Sequence, residues 1–321
     1  MEKQYMLEVK NLVKHFPVSG NKHAVVHAVE DVSFRVEKGK IFGLVGESGC
    51  GKSTCARTII RIYQPTAGNI IVDGEDVSYK KNRELQALRR KMQMIFQDPY
   101  ASLNARMTVH DIIAEPLRAH KVASSRQEVS ERVYDMLDKV GLSHEHANRY
   151  AHEFSGGQRQ RIGVARALVI EPEIVICDEP ISALDVSIQA QVVNLLKDFQ
   201  YERGLTYLFI AHDLSMVRYV SDEIGVMYLG QLVEICAAAE IYEHPLHPYT
   251  KGLLAAIPIP VPKLARQKVV SSIEGDIPSP ISPPPGCHFH TRCPYAKPIC
   301  REQEPELRDM GGGHQVACHL Y

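Results

Sequence analysis

Four short, mostly apolar runs punctuate the chain, and each stops at a polar or glycine-rich turn. They are Ile41–Val45 before Gly46, Met92–Phe96 before Gln97, Ile174–Cys177 before Asp178, and Thr206–Ala211 before His212. Continuous apolar runs of this length read as strands buried on both faces, the kind found in parallel sheets. Residues 6–36 carry β-type patterning through Leu7, Val9 and Val13, then Val25, Val26, Val29, Val32, Phe34 and Val36, which predicts an antiparallel layer ahead of the first buried strand. Asn69–Asp73 with Gly74 reads as a further strand and turn. Helical spacing appears in Lys52–Ile62, where Ala56, Ile59 and Ile60 share a side. It dominates Thr108–Arg149, where Val129, Val133, Met136, Leu137 and Val140 recur until Gly141. No strand signal interrupts that stretch, so it is expected to be a helical subdomain inserted into an α/β core. Two more helices are predicted: one from Ser155 to about Val169, and Ser187–Arg203 with Ile188, Val192, Leu195, Leu196 and Phe199 inward. The basic run Lys80, Lys81, Arg83, Arg89, Arg90 and Lys91 is broken by acidic and apolar residues and reads as a solvated helix surface.

Composition narrows this picture little. With 321 residues, 45% hydrophobic and 23% charged, the chain is an ordinary globular one, long enough for about two domains. A net charge of −1 leaves no electrostatic footprint for nucleic acid. No apolar run approaches the ~18 residues of a membrane span, and Met1–Tyr5 lacks the apolar core of a secretory signal. A cytosolic chain that reaches a membrane only through a partner is therefore expected. Of eight cysteines, Cys50, Cys55, Cys177 and Cys236 are scattered, whereas Cys287, Cys293, Cys300 and Cys318 crowd the C-terminus. A reducing compartment argues against a disulfide framework.

The candidate chemistry begins at Gly46-Glu47-Ser48-Gly49-Cys50-Gly51-Lys52-Ser53-Thr54, which fits G-x-x-x-x-G-K-[ST]. A strand feeding a glycine-rich turn that opens a helix aims backbone N–H groups and the positive helix end at one place, the requirement for holding phosphate. Lys52 adds a charge at the β/γ-phosphates, and the Ser53 hydroxyl suits Mg²⁺. Gln97 stands at a strand end where α/β sheets bind ligands, and could touch both Mg²⁺ and an attacking water. Ser155 before Gly156, Gly157 and Gln158 caps a second helix start able to face an anion. Asp178 and Glu179 close a buried strand; strand alternation points them apart, so that Asp178 suits the metal shell and Glu179 the water that attacks the γ-phosphate. His212 ends the next strand. Phe16 could stack on an adenine or make an ordinary hydrophobic contact.

These signals, in this order, closely resemble the nucleotide-binding subunit of an ATP-binding-cassette (ABC) transporter, over roughly residues 5–260. The phosphate loop alone fits many NTPases; Ser155–Gln158 between it and the acidic pair narrows the resemblance to the cassettes. Phe96–Asn104, Ala114–Leu117, His244–Thr250 and Gly286–Pro294 look like the oligopeptide and dipeptide import branch, and most like the second of its two unlike ATPase subunits. The resemblance implies a RecA-like P-loop core with an antiparallel β layer and an inserted helical subdomain at about residues 105–160. It implies a cassette over residues 1–240 and a C-terminal extension with a cysteine-rich tail over 241–321. ATP would bind Phe16, the Gly46–Thr54 loop and, from the opposite subunit, Ser155, Gly156, Gly157 and Gln158, with Asp185 at the dimer seam. Ser53, Gln97 and Asp178 would serve Mg²⁺; Glu179 would be the catalytic base, helped by Gln97 and His212. Implied partners are a second cassette, favoured as a different chain, two membrane-spanning permease subunits and an extracytoplasmic peptide-binding protein, with the chain on the cytoplasmic face of the membrane. Dipeptide, nickel and glutathione importers are alternatives that share such subunits. A soluble cassette acting on DNA or ribosomes fits the single phosphate loop and near-zero charge less well, and a non-hydrolysing module is opposed by Asp178, Glu179 and His212. Phe154 for leucine, Phe16 for tyrosine and Ala105 for proline are departures that remove no catalytic group, so a competent ATPase is expected.

Prolines are dense from Ile257 to Pro285, which reads as a semi-extended linker strapped across a surface. The four cysteines beyond it lack the C-x₂-C spacing of zinc ribbons. Four thiols in a core-poor segment still suggest a metal staple. The resemblance favours a [4Fe–4S] cluster on Cys287, Cys293, Cys300 and Cys318; zinc bound by cysteine and histidine, or four free thiols, remain open.

Overall fold

The computed structural model describes residues 4–81, 83–182, 184–257 and 273–321. In chain order its strands are β1 (Tyr5–Val18), β2 (Asn21–Glu37), β3 (Ile41–Val45), β4 (Ala67–Val72), β5 (Glu75–Asp76), β6 (Met92–Ile95), β7 (Ile174–Asp178), β8 (Thr206–Ala211), β9 (Glu223–Tyr228), β10 (Gln231–Ala237), β11 (Arg308–Asp309) and β12 (Gln315–Val316). Its helices are α1 (Lys52–Ile59), α2 (Leu85–Lys91), α3 (Pro99–Ser102), α4 (Val109–Ala119), α5 (Arg126–Lys139), α6 (Gly156–Leu168), α7 (Val186–Arg203), α8 (Leu214–Val220), α9 (Ala238–Glu243) and α10 (Pro248–Ala256). Among the described residues no helix is long and apolar enough to cross a membrane.

The chain divides into two compact units. One takes Val36–Lys40 and Tyr79–Ile210 with the chain's start as far as Met6; the other takes Leu7–Arg35, Ile41–Ser78 and the chain from Ala211 onward.

In the first unit β6, β7 and β8 run parallel, Ile95 opposite Cys177 and Asp178 opposite Ile210. Every residue of β7 and β8 is buried, as unalternating apolar runs require. Cys177 is fully buried, where loss of water pushes its thiol pKa up, so it is inert core as its strand position predicts. The expected helical insertion is present as α4 and α5, followed by a short 3₁₀ turn at His144–Asn148. Thr108 and Ser125 cap the two helices by accepting from Asp111 N–H and Glu128 N–H. The basic run ends in α2, whose last turn holds Arg89, Arg90 and Lys91 near the negative helix end.

In the second unit the predicted antiparallel layer is a sheet in the order β2-β1-β4-β5. A second sheet pairs β3 with β9 in parallel, then β10, β12 and β11 antiparallel. The cysteine-rich tail thus contributes strands to the phosphate-loop unit. Close packing dictates two glycines here: a Cβ at Gly225 would lie 2.8 Å from the Phe42 ring, and one at Gly43 would lie 2.5 Å from Val217. Helix α1 stops at Ile59, short of the Ile62 that apolar spacing suggested. Arg61 turns left-handed (φ 63°) and its guanidinium donates to the carbonyls of Val77 and Ser78, leaving Ile62 half exposed. Part of the proline-rich linker, residues 258–272, lies outside the described residues. Beyond it, Pro280 carbonyl accepts from His27 N–H at 2.9 Å.

Candidate functional site

The phosphate loop lies in the second unit. Gly46 (φ 152°) and Gly51 (φ 109°) adopt conformations L side chains avoid, and a Cβ on either would lie 2.1 Å from a backbone oxygen, of Met227 and Ala28 respectively. Helix α1 follows Gly51 without a side-chain cap and without an acidic residue in its first turn, so no carboxylate of the helix's own first turn neutralises its positive end. Lys52 is 3% exposed and folds back over the loop, donating from Nζ to the carbonyls of Gly46 (2.8 Å) and Glu47 (3.0 Å). The Cys50 carbonyl accepts from Gly230 N–H at 2.9 Å, and its buried thiol is pushed up in pKa by loss of water, with Lys52 opposing. Glu47 stands apart from the other loop residues: its N–H donates to the Tyr249 hydroxyl at 2.8 Å and its carboxylate is paired with Arg292. Gly51→Ala is therefore expected to abolish nucleotide binding, because the methyl must displace the Ala28 carbonyl. Equilibrium binding of a fluorescent ATP analogue checks this.

Phe16, on β1, is half-buried, with Tyr63 edge-on at 5.2 Å and the Lys14 ammonium 4.7 Å from its ring centroid. His212 is exposed at the end of β8, just before Asp213, whose side chain caps α8 by accepting from Ser215 N–H.

The first unit holds the acidic strand end. Asp178 is fully buried as the last residue of β7. The sequence placed Glu179 and Asp178 apart by strand alternation; the structure separates them by a turn instead. Glu179 is left-handed (φ 45°), an uncommon state for a residue with a Cβ and one that clusters at functional sites. Its N–H donates to the Ile210 carbonyl at 3.1 Å, its carbonyl accepts from the Ser182 hydroxyl at 3.1 Å and the Ser182 N–H at 3.3 Å, and its carboxylate accepts from Gln97 Nε2 at 2.9 Å. Gln97 and Glu179, 82 positions apart in sequence, thus share one site. The carboxylate is half-buried and can accept a proton from water while the amide fixes its direction.

In the same unit Ser155 caps α6 in a reciprocal box: its hydroxyl accepts from Gln158 N–H, and Gln158 Oε1 accepts from Ser155 N–H at 3.1 Å. The two glycines differ in their surroundings. Around Gly156 a Cβ would meet only Leu184, at 4.0 Å, whereas at Gly157 it would fall 2.6 Å from Ile188 of α7. Gly157 thus has a packing role in addition to the exposed backbone read from sequence. Asp185 is exposed at the start of α7, beside Val186, which is 78% exposed.

Two arginines escaped the sequence reading. Arg159 stacks 3.7 Å over Tyr100 while donating to the carbonyls of Ala151 (2.7 Å) and His152 (2.8 Å); Arg166 donates to the Ser102 carbonyl. Together they bind α3, which follows Gln97, to the helix that Ser155 opens. The signal was there: α3 carries a large exposed aromatic beside a helix rich in arginine, but nothing local says which arginine meets it.

None of the four C-terminal cysteines is in a disulfide; Cys300 is buried and Cys287, Cys293 and Cys318 are half-buried. The Cys300 sulfur accepts the Lys297 N–H at 3.4 Å. Burial raises the Cys287 thiol to about 11. Among the described residues the sets with ligand atoms all within 4.8 Å of one another are His15/His27/Glu30 and Glu234/Cys236/His314; the four thiols are not such a set.

Residues 29–182 match the family described as ABC transporter, and residues 233–300 match the oligopeptide/dipeptide transporter C-terminal region. The chain is 63% identical to the oligopeptide transport ATP-binding protein OppF of Bacillus subtilis (strain 168), over 82% of this chain and 86% of that one. It is 52% identical to OppF of Escherichia coli (strain K12), over 98% of this chain and 96% of that one. Among solved structures it resembles the dimeric post-hydrolysis state of the ATP-binding cassette MJ0796 bound to ADP and Pi, at TM-score 0.67 and 28% identity, covering 73% of this chain and 99% of that one.

Proposed function

The chain belongs to the ATP-binding subunits of ABC transporters, in the oligopeptide/dipeptide branch, and on that premise we propose how its residues couple ATP hydrolysis to uptake of oligopeptides across the cytoplasmic membrane. It is an ABC-type ATPase. The observation that carries the reading is the Gln97 amide 2.9 Å from a Glu179 carboxylate held in a left-handed turn, a placed general base rather than a surface acid.

In this reading residues 1–240 form the cassette and 241–321 the extension. The Gly46–Thr54 loop and Lys52 cradle the triphosphate, Phe16 stacks on the adenine, and Ser53, Gln97 and Asp178 serve Mg²⁺. Glu179 orients and deprotonates the attacking water; His212 contacts the γ-phosphate. Ser155, Gly156, Gly157 and Gln158 close the nucleotide of a neighbouring cassette, with Asp185 at the seam. Such a helix start supplies donors that exclude water from the γ-phosphate. ATP then joins two cassettes and hydrolysis parts them, which is how a chain acting through partners drives a membrane pore. The second cassette is a different chain, the other partners are two permease subunits and an extracytoplasmic peptide-binding protein, and the location is the cytoplasmic face of the membrane. Co-purification from detergent-solubilised membranes tests this: the permease chains, a second cassette and a peptide binder are expected. Recovery with ribosomes or DNA instead would contradict it.

The tail is read as the seat of a [4Fe–4S] cluster on Cys287, Cys293, Cys300 and Cys318. Four thiols free of disulfides, of which Cys300 accepts the Lys297 N–H at 3.4 Å, fit a metal–thiolate site, since such a bond stabilises thiolate charge. When bound, the cluster would supply a redox-active staple for a segment poor in apolar core. Anaerobically purified protein is expected to be brown and to carry about four iron atoms per chain. Colourless protein with stoichiometric zinc would overturn this part.

A further inference from the structure

Two sequence stretches that nucleotide chemistry leaves unused, His247–Thr250 and Phe289–Cys293, converge on the phosphate loop. The Arg292 guanidinium is 5% exposed and grips the Glu47 carboxylate with both nitrogens of its fork, Nη1 to Oε2 at 2.7 Å and Nη2 to Oε1 at 3.1 Å. Glu47 N–H donates to the hydroxyl of Tyr249, which is fully buried, and its carbonyl accepts from Lys52 Nζ. Every polar group of this loop residue is thus taken by the protein, and two of its partners come from the C-terminal extension.

Those partners are themselves fixed. Tyr249 N–H donates to Nδ1 of His247, whose buried ring is kept neutral by a pKa lowered to about 3. The N–H groups of Leu246 and His247 donate to the fully buried carboxylate of Glu234 at 2.7 and 3.0 Å, which also accepts from His314 Nε2 at 2.8 Å. The rings of Tyr228, Tyr249 and Phe289 pack with centroids 4.7–5.4 Å apart, and Arg292 N–H donates to the Phe289 carbonyl at 3.0 Å. A buried arginine with an ideal fork pair, on a locked turn, is built to hold something still.

What it holds is a carboxylate inside an anion-binding loop. A free Glu47 carboxylate beside a triphosphate would repel it; paired with Arg292, its charge is cancelled. We propose that Arg292 is a positioning residue for the nucleotide: with Tyr249 it fixes the shape of the phosphate loop and neutralises Glu47, so that the C-terminal extension sets the affinity for ATP. This rests on the reading of Gly46–Thr54 as the triphosphate cradle.

The test is the dissociation constant for MgATP, measured by calorimetry on the full chain and on R292M, R292K, E47Q and the R292M/E47Q double variant, with thermal melts alongside. One uncompensated charge at the distances of a loop and its ligand predicts a loss on the order of tenfold in R292M, smaller at high salt. R292K should retain part of the affinity. In the double variant E47Q should restore most of what R292M loses. Affinity lost and restored in this way while the melting temperatures stay level is something a merely structural arginine would not show. Unchanged affinity in R292M, or a loss that E47Q fails to restore, overturns the proposal. Failure of the unaltered chain itself to bind MgATP would count instead against the nucleotide reading on which it rests.

Discussion

Replacing Glu179 with Gln is expected to lower ATP turnover by roughly 10²–10⁴-fold, the range a general base contributes, while MgATP binding stays within a few-fold of the unaltered chain. The change keeps shape and removes only basicity. The left-handed backbone at φ 45° and its hydrogen bonds to Ile210 and Ser182 do not depend on the carboxylate charge, so the turn should survive. Gln97 Nε2 can still donate to the new side-chain oxygen. Because hydrolysis is what parts the cassettes, the variant should also accumulate as an ATP-bound dimer. Steady-state phosphate release together with sedimentation in the presence of MgATP reads both. Undiminished turnover would refute the assignment of the base.

The second large effect is expected at Lys52. Its ammonium is almost fully buried and spans the carbonyls of Gly46 and Glu47, so Lys52→Ala removes both the charge aimed at the β/γ-phosphates and the bracket that shapes the loop. Affinity for MgATP should fall on the order of a hundredfold or more, as expected for losing a cation from a water-poor anion site. Lys52→Arg, which keeps the charge but not the point-like geometry, should also bind poorly, because a planar fork cannot fold into the same space. Calorimetric titration with MgATP checks both; near-normal binding by the alanine variant would place the triphosphate elsewhere.

These residues were legible in sequence because their work depends on local spacing. A glycine loop between a buried strand and a helix, a serine three residues before a glutamine, and an acid at the end of an apolar run each announce a backbone geometry before any fold is known. Burial of β7 and β8, and the inert place of Cys177, follow from the same unalternating pattern. Tertiary contacts supplied the rest. Nothing near Glu179 in sequence signals a left-handed turn; it arises where a strand must end and re-aim its last carboxylate. The early stop of α1 is set by Arg61 reaching carbonyls 16 and 17 positions away. The pairing of Arg292 with Glu47 spans 245 positions, and no periodicity encodes it. An arginine between histidines and cysteines in a compact turn was the sole hint, since a buried guanidinium must find a carboxylate.

The claim on which the account turns is that one triphosphate is shared by the phosphate loop of one cassette and the Ser155 helix start of another. A structure of the complete transporter carrying Glu179→Gln, solved with MgATP bound, measures it directly. The account predicts the Ser155 hydroxyl of this chain within hydrogen-bond reach of the γ-phosphate held on the neighbouring cassette's loop. A MgATP-bound structure in which Ser155 lies far from every γ-phosphate would contradict it.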